Sequence, residues 1–340
     1  MISRNYHPKS PQKSGPMDPD TPRFPDGISS LLDTDLYKLT MHCAALKYFP
    51  DVCKSRISLD SRSNSSLITN YVIEDVTYGF TNRTPHMKLS RTAYLWLLEQ
   101  INSKLLITYV LRTSIGIVHE IQKLNLVGLS NLRVSTEEIK FLKSACPYLN
   151  EAYLEYLQSF RLKPVEQIDI KFTPVNDTGN VNDLGNLEYA IKGLWVETIL
   201  YEIPLLALTS EAYFKFCDKD WDYEGQEERA YEKGCTLLKN GCIFSEFGSR
   251  RRRDYHTQDL VMKGLCRAAE DGKKNGWKGT LSGTSNVQFA MNHGVNPVGT
   301  VAHEWYMTIA AHTNNYESAN ELGLRYWVGC FGEGVSDSPK

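Results

Sequence analysis

The hydrophobic and polar positions along this 340-residue chain change period several times. Over residues 31–49, Leu36, Leu39, Thr40, Cys43 and Leu46 recur at helical spacing. That predicts a helix capped by Asp33 or Thr34 and stopped by Phe49-Pro50-Asp51. The serine-rich stretch 54–66 reads as a loop, and 76–82 alternates like a strand. Helices are predicted over 93–101, 136–146 and 148–160, the last two parted by Pro147. A short strand at 168–172, a polar loop at 174–186, a second strand at 187–193 and a largely helical run over 195–216 follow.

Beyond residue 240 the pattern turns regular. Strand-like runs at 241–247, 279–282 and 297–301 are each followed by a helical run, over about 257–269, over 287–293 and on through 310. A further helix is predicted over 316–331. Strand followed by helix, three times, indicates a parallel sheet or barrel. In such folds the chemistry gathers at the carboxyl ends of the strands.

Composition and charge narrow the function classes. Apolar residues make up 41% and charged residues 23%, as in an ordinary soluble globular protein. Lys plus Arg is 38 and Asp plus Glu is 40, a net charge of −2, so no global basic field exists to hold nucleic acid or an anionic membrane. The 8 cysteines form no C-x-x-C pair, which argues against zinc and thioredoxin-type chemistry and for reduced side chains in a cytoplasmic or nuclear protein. Residues 1–27 are rich in Pro, Lys, Ser and Asp without the apolar centre of a secretory signal, and read as a disordered tail. No run of about 18 apolar residues suggests a membrane span.

Three motifs stand where strands give way to helices. In FSEFGSRRRR, Gly248 permits a tight turn and Arg250 to Arg253 offer planar charged forks suited to phosphate, although a solvated basic turn reads the same way. LSGTSN presents Thr284, Ser285 and Asn286 before a helix, as an anion site or as an ordinary N-cap with Ser285 or Thr284 as the capping residue. In VGTVAHEWYM, His303 could be a base, a ligand, a phosphoryl acceptor or a structural imidazole. His256 is a weaker competitor, and His293 follows a helix that it could cap. LLDTDLYKLTMH and the TNR at 81–83, which includes Arg83, say little alone.

Together these segments resemble the nicotinate phosphoribosyltransferase family. LLDTDLYKLTM, YGFTNR, LYEIPLLALTSEAYFKF, FSEFGSRRRR, GTSN and GTVAHEW stand in that family's order across much of residues 30–330. The resemblance implies an α/β fold: an irregular (β/α) barrel of the type II phosphoribosyltransferase kind with an N-terminal α+β domain. The expected division is a tail at 1–27, an N-terminal domain at 28–185 and a partial barrel at 186–340. It also implies formation of nicotinate mononucleotide and diphosphate from nicotinate and 5-phosphoribosyl 1-diphosphate, with ATP as co-substrate, Mg²⁺ as cofactor and sites at a homodimer interface. By position, His303 matches the histidine that ATP phosphorylates. Thr300 matches a nicotinate-site residue, and Phe247 an aromatic that stacks on the pyridine ring. Tyr37 matches the ring's opposite face, supplied by the partner subunit, and Arg250 an arginine near the base and phosphoribosyl group. Arg251, Thr284, Asn286 and Arg83 are further candidates, and no residue is assigned to a metal.

Substrate choice has a physical argument. Related nicotinamide enzymes carry Asp at the position of Ser285, where it would repel a nicotinate carboxylate; a serine hydroxyl can donate to one. Nicotinate is therefore expected over nicotinamide. The family also continues past GVSDSPK with a D-T-F-G segment, a V-R-x-D-S-G-D segment and a Gly-rich phosphate grip, and stretches 53–75 and 102–128 look inserted. These departures lead to the expectation of an incomplete barrel with an unpaired edge, low stability and little turnover. The alternative function is a non-catalytic partner in mixed dimers with a longer paralogue, or nicotinamide transfer.

Overall fold

The structure is a computed structural model that describes residues 27–54, 89–101, 128–217 and 219–332. The tail expected at 1–27 up to residue 26, most of the predicted loop at 54–66, the strand at 76–82, Arg83 and most of the stretches 53–75 and 102–128 lie outside the described residues.

Helix α1 (Leu36–Tyr48) is buried on every side over its first ten residues, as befits a helix inside a core. It starts five residues later than its periodicity predicts. The segment ahead of it is a turn and bend tied to the 285–288 stretch: Leu36 N–H donates to Ser285 O, Val287 N–H to Thr34 O and Gln288 N–H to Leu32 O. Neither Asp33 nor Thr34 caps the helix. The N-cap is Asp35, and it makes no side-chain cap bond. Phe49 ends the helix, as its Phe-Pro-Asp sequence predicts.

The α+β portion comes next. It comprises β1 (Cys53–Lys54), β2 (Leu89–Ser90), α2 (Arg91–Ile101), α3 (Thr136–Ala145), α4 (Glu151–Ser159), α5 (Pro164–Gln167), β3 (Ile168–Pro174), β4 (Leu184–Ile191) and β5 (Gly193–Leu194). Strands β2, β4 and β3 form one antiparallel sheet in that order, with Ile168 opposite Ile191 and Phe172 opposite Leu187. Helix α3 begins with a reciprocal capping box between Ser135 and Glu138, which satisfies two of its orphan N–H groups.

Helices α6 (Trp195–Thr198) and α7 (Glu202–Phe216) lead into the strand–helix portion. It contains α8 (Gln226–Lys239), β6 (Ile243–Glu246), α9 (Tyr255–Lys274), β7 (Thr280–Thr284), α10 (Val287–His293), α11 (His303–Thr313) and α12 (Ala319–Phe331). Strands β6 and β7 are parallel, Ile243 beside Thr280 and Glu246 beside Thr284. The third predicted strand, 297–301, is reduced to a single parallel bridge between Thr284 and Pro297. Thr284 exchanges bonds with Asn296 O and Val298 N–H, but Pro297 has no N–H with which to extend a ladder.

One large core runs from Ile28 to Phe331 and draws on both the α+β and the strand–helix portions. Trp195 and Trp305 stack at its centre, 5.6 Å between ring centroids. Two small satellite cores lie between α8, α9 and α10. His42, buried in the main core, holds Val196 O at 2.7 Å and the Tyr153 hydroxyl at 3.1 Å. Burial lowers its pKa to about 4, so it stays neutral and structural.

Candidate active site

The carboxyl end of β6 is where the polar side chains converge. Glu246, its last residue, accepts from Thr284 Oγ1 at 2.6 Å, from Gln258 Nε2 at 3.1 Å and from the N–H of Gly248. One carboxylate thereby fixes the end of β7 and the turn that follows β6. Phe247 leaves that turn 46% exposed. A 3₁₀ turn over Ser249–Arg251 then carries Arg250 and Arg251 outward.

The four arginines have separate fates. Arg252 is buried and forms a two-pronged pair with Asp33, Nη1 to Oδ1 at 2.7 Å and Nη2 to Oδ2 at 2.6 Å. Its geometry is that of a structural clamp, and the guanidinium is committed to a carboxylate already. Arg253 lies over the rings of Phe214 and Trp221, 4.5 and 4.4 Å from their centroids. Arg250 is one-third exposed and reaches Glu202 Oε1 at 3.2 Å.

The GTSN residues are buried rather than open to a ligand: Thr284, Ser285 and Asn286 are each 0% exposed. Asn286, rather than the expected Ser285 or Thr284, caps α10 through Phe289 N–H, and it donates to Asp33 Oδ1 at 2.7 Å. Ser285 Oγ donates to Asp35 Oδ1 at 2.7 Å. Burial raises the Asp35 pKa to about 6, and the Ser285 hydrogen bond and the charge of Arg250 offset only part of that rise.

A second buried network lies beside the first. The Lys38 ammonium pairs with Glu304 Oε2 at 2.7 Å and with Glu202. Glu304 Oε1 also accepts from Trp195 Nε1 at 2.9 Å. Burial pulls the Lys38 pKa down, yet the attraction of Glu202 and Glu304 outweighs it and holds the group above its ordinary value. His303 is the first residue of α11, exposed, directly before Glu304; Thr300, also exposed, lies three residues earlier. Ala302 gives α11 no side-chain cap, so the helix presents its N-terminal N–H groups beside His303. Tyr37 is 8% exposed within its own chain.

The structure thus joins Phe247 and Arg250 on one turn, and links Arg250 to the residue after His303 through Glu202, Lys38 and Glu304. It places Thr284, Ser285 and Asn286 beneath that turn as its supports. Asp33, Lys38, Glu202, Glu246, Arg252 and Glu304 were not singled out for this work by sequence reasoning. Their signal was present: Glu202 and Glu304 are charged residues inside the apolar runs LYEIPLLAL and VAHEW, where a charge survives only if paired. His256 belongs elsewhere, in a cavity of about 340 Å³ lined also by Trp221, Tyr223 and Arg253. Its pKa is lowered by burial. His293, at the end of α10, reaches Asp259 Oδ1 at 3.0 Å.

Two family models match this chain. Residues 109–210 match the nicotinate phosphoribosyltransferase (NAPRTase) N-terminal domain, and residues 242–340 match the nicotinate phosphoribosyltransferase (NAPRTase) family. The chain belongs to the nicotinate phosphoribosyltransferase family. It is 42% identical over 307 residues to the nicotinate phosphoribosyltransferase of Saccharomyces cerevisiae, covering 90% of this chain and 60% of the relative. It is 35% identical over 318 residues to the nicotinate phosphoribosyltransferase of Methanosarcina mazei, covering 88% of this chain and 62% of the relative. A crystal structure of a nicotinate phosphoribosyltransferase from S. cerevisiae superposes with a TM-score of 0.69 at 38% identity, over 91% of this chain and 62% of that one. The fold is therefore the mixed α/β fold of these phosphoribosyltransferases. The chain spans about 60% of the length of the curated relatives it matches. Among the described residues no helix is long and apolar enough to cross a membrane.

Proposed function

We propose that the chain carries the phosphoribosyl transfer of its family, joining nicotinate to 5-phosphoribosyl 1-diphosphate with ATP as co-substrate. The observation that carries this reading is the placement of Phe247 and Arg250 at the end of a parallel strand, tied through a buried ion network to the helix that begins at His303. The partial barrel expected from sequence has its support in the parallel pair β6 and β7 and the bridge to Pro297.

The chemistry follows from those residues. His303 accepts a phosphoryl group from ATP, forming an N–P bond as ADP leaves. The new charge lies at the amino end of α11, where helix N–H groups favour an anion. Phe247 offers a half-exposed ring face for a flat pyridine. Arg250, with Arg251 beside it, meets the negative charge of the phosphoribosyl donor. The nicotinate ring nitrogen then attacks the anomeric carbon, and the bond to diphosphate breaks with its electron pair leaving on oxygen. Hydrolysis of the phosphohistidine to free phosphate drives the cycle forward. Thr300 completes the nicotinate side.

Ser285 is fully buried and gives its hydroxyl to Asp35. Its preference for the acid over the amide works by leaving position 285 without a charge, rather than by direct donation. Mg²⁺ is held in such enzymes by one or two carboxylates together with substrate phosphates. Among the described residues no cluster of three or more His, Cys, Asp or Glu is gathered for a metal, so no residue is assigned to it and no step is routed through it. A homodimer in which Tyr37 completes the partner's site rests on the family resemblance; it requires the nearly covered ring to be presented to a second copy. Seven of the described cysteines form no disulfide, which suits a reducing compartment, the cytoplasm or nucleus.

The test uses the chain as it stands. With γ-labelled ATP, acid-labile phosphate should appear at His303 and be absent from His303→Ala. With labelled nicotinate and 5-phosphoribosyl 1-diphosphate, nicotinate mononucleotide should form. A chain that takes up no phosphate and makes no nucleotide overturns the reading. The weak turnover expected from sequence is a separate quantity, the rate of the second step alone.

A further inference from the structure

Three buried charges from three parts of the fold meet, Lys38 on α1, Glu202 on α7 and Glu304 on α11, and the one-third-exposed Arg250 after β6 joins them at the edge. The side chains of Lys38, Glu202 and Glu304 are 1%, 7% and 3% exposed. Two cations balance two carboxylates, so the cluster is neutral as a set. Lys38 pairs with both acids. One of them, Glu202, holds Arg250; the other, Glu304, is the residue after His303 and is fixed on its far oxygen by Trp195 Nε1.

We propose that Lys38 is a positioning residue that sets the placement of the His303 helix relative to the Arg250 turn. This rests on the function proposed above, because it gives the buried ammonium a task in the same site. Burying an ion pair is a poor source of stability, since desolvation offsets the attraction. What such a cluster does supply is geometry: a lysine bonded on both sides admits little sliding between the elements it joins. Arg250 would meet the phosphoribosyl donor and His303 carries phosphate, so an error in their relative placement falls directly on phosphoribosyl transfer.

Lys38→Met alone strips Glu304 of its Lys38 cation while Glu202 keeps Arg250, and that variant can fail by unfolding. The informative variant is Lys38→Met with Glu304→Gln. It removes one charge of each sign and leaves the Glu202–Arg250 pair intact, so folding is spared while the tie is cut. Spin labels attached through p-acetylphenylalanine at the exposed positions Phe247 and Met307 report the separation of the two elements. The expected result is a single narrow distance distribution in the parent, a broadened or shifted one in the double variant, and the same far-ultraviolet dichroism in both. Formation of nicotinate mononucleotide should fall on the order of 100-fold, as expected for a misplacement near 1 Å. A double variant that keeps the narrow distribution overturns the proposal. If the parent takes up no phosphate, the function fails and the spin labels still decide the positioning role.

Discussion

At residue scale the informative group is Asp35. Its carboxyl is buried, accepts from Ser285 and has its pKa raised to about 6. An acid whose folded pKa exceeds its unfolded value near 4 binds protons more tightly in the native state. Stability is then greatest below the unfolded pKa and falls as pH rises towards 6, by about 3 kcal/mol. Asp35→Asn removes that term and keeps an acceptor for Ser285. The difference in unfolding free energy between parent and variant, from urea titrations at pH 4 and pH 7, should therefore move against the parent by a few kcal/mol; no change between the two pH values would contradict the burial argument. Ser285→Asp is not a clean specificity swap for the same reason. It sets a second buried carboxylate against the first, at a cost of about 3–5 kcal/mol. Asp35→Asn in the same chain should recover most of that loss in thermal or urea unfolding, and failure to recover would mean that Asp35 is not the group repelled.

The elements show what the sequence could and could not convey. Helix α10 has the bounds its periodicity predicts, with Asn286 as cap and Gly294 as left-handed terminator. Helix α1 was misjudged at its start because apolar spacing says nothing of Asp33 and Asp35 being required by Arg252 and Ser285, more than 200 residues away in sequence. Helix α8 was missed altogether. Its buried face is Ala230, Gly234, Cys235 and Leu238, three of them small, so the apolar signal is faint. The smallness serves close packing: a Cβ on Gly234 would lie 2.9 Å from the Ala268 Cβ of α9. The motif residues 247, 250 and 303 come from the family resemblance, whose segments stand near strand ends and helix starts. The network beneath them was not legible, because a buried acid is distinguished from a surface one only by tertiary neighbours. Gly283 gives a test at this scale. It has φ +146°, and a Cβ there would strike Asn296 O, the group that accepts from Thr284 N–H. Gly283→Ala should cost at least about 1–3 kcal/mol from backbone strain alone, with β7 and the 296–298 segment losing amide protection first in hydrogen exchange.

For the whole molecule, the question is whether the α+β and strand–helix portions stand apart. The expected boundary at 185/186 falls inside β4 (Leu184–Ile191), and the main core runs across it, with Trp195 stacked on Trp305 and Trp305 meeting Trp327 edge-on at 5.8 Å. A shared core couples the unfolding of what it joins. The pair α8 and α9 is different: its satellite core has only Cys235, Leu238 and Ala268 buried, with Tyr231, Phe244 and Trp277 half-buried against them and reachable by water. Urea unfolding should accordingly show one transition for the α1, α7, α11 and α12 core, coincident by tryptophan fluorescence and far-ultraviolet dichroism. Native-state hydrogen exchange should find α8 opening at a lower free energy than α1. Trp327→Ala, which empties the contact between α12 and the core, should lower the main transition by about 3–5 kcal/mol without changing the opening of α8. Two separated transitions in the parent, one for each side of residue 185, would show that the portions fold independently. In that case the tie from Lys38 to Glu304 would be a contact between folded bodies rather than part of one core, and its loss would shift their docking while leaving each transition in place.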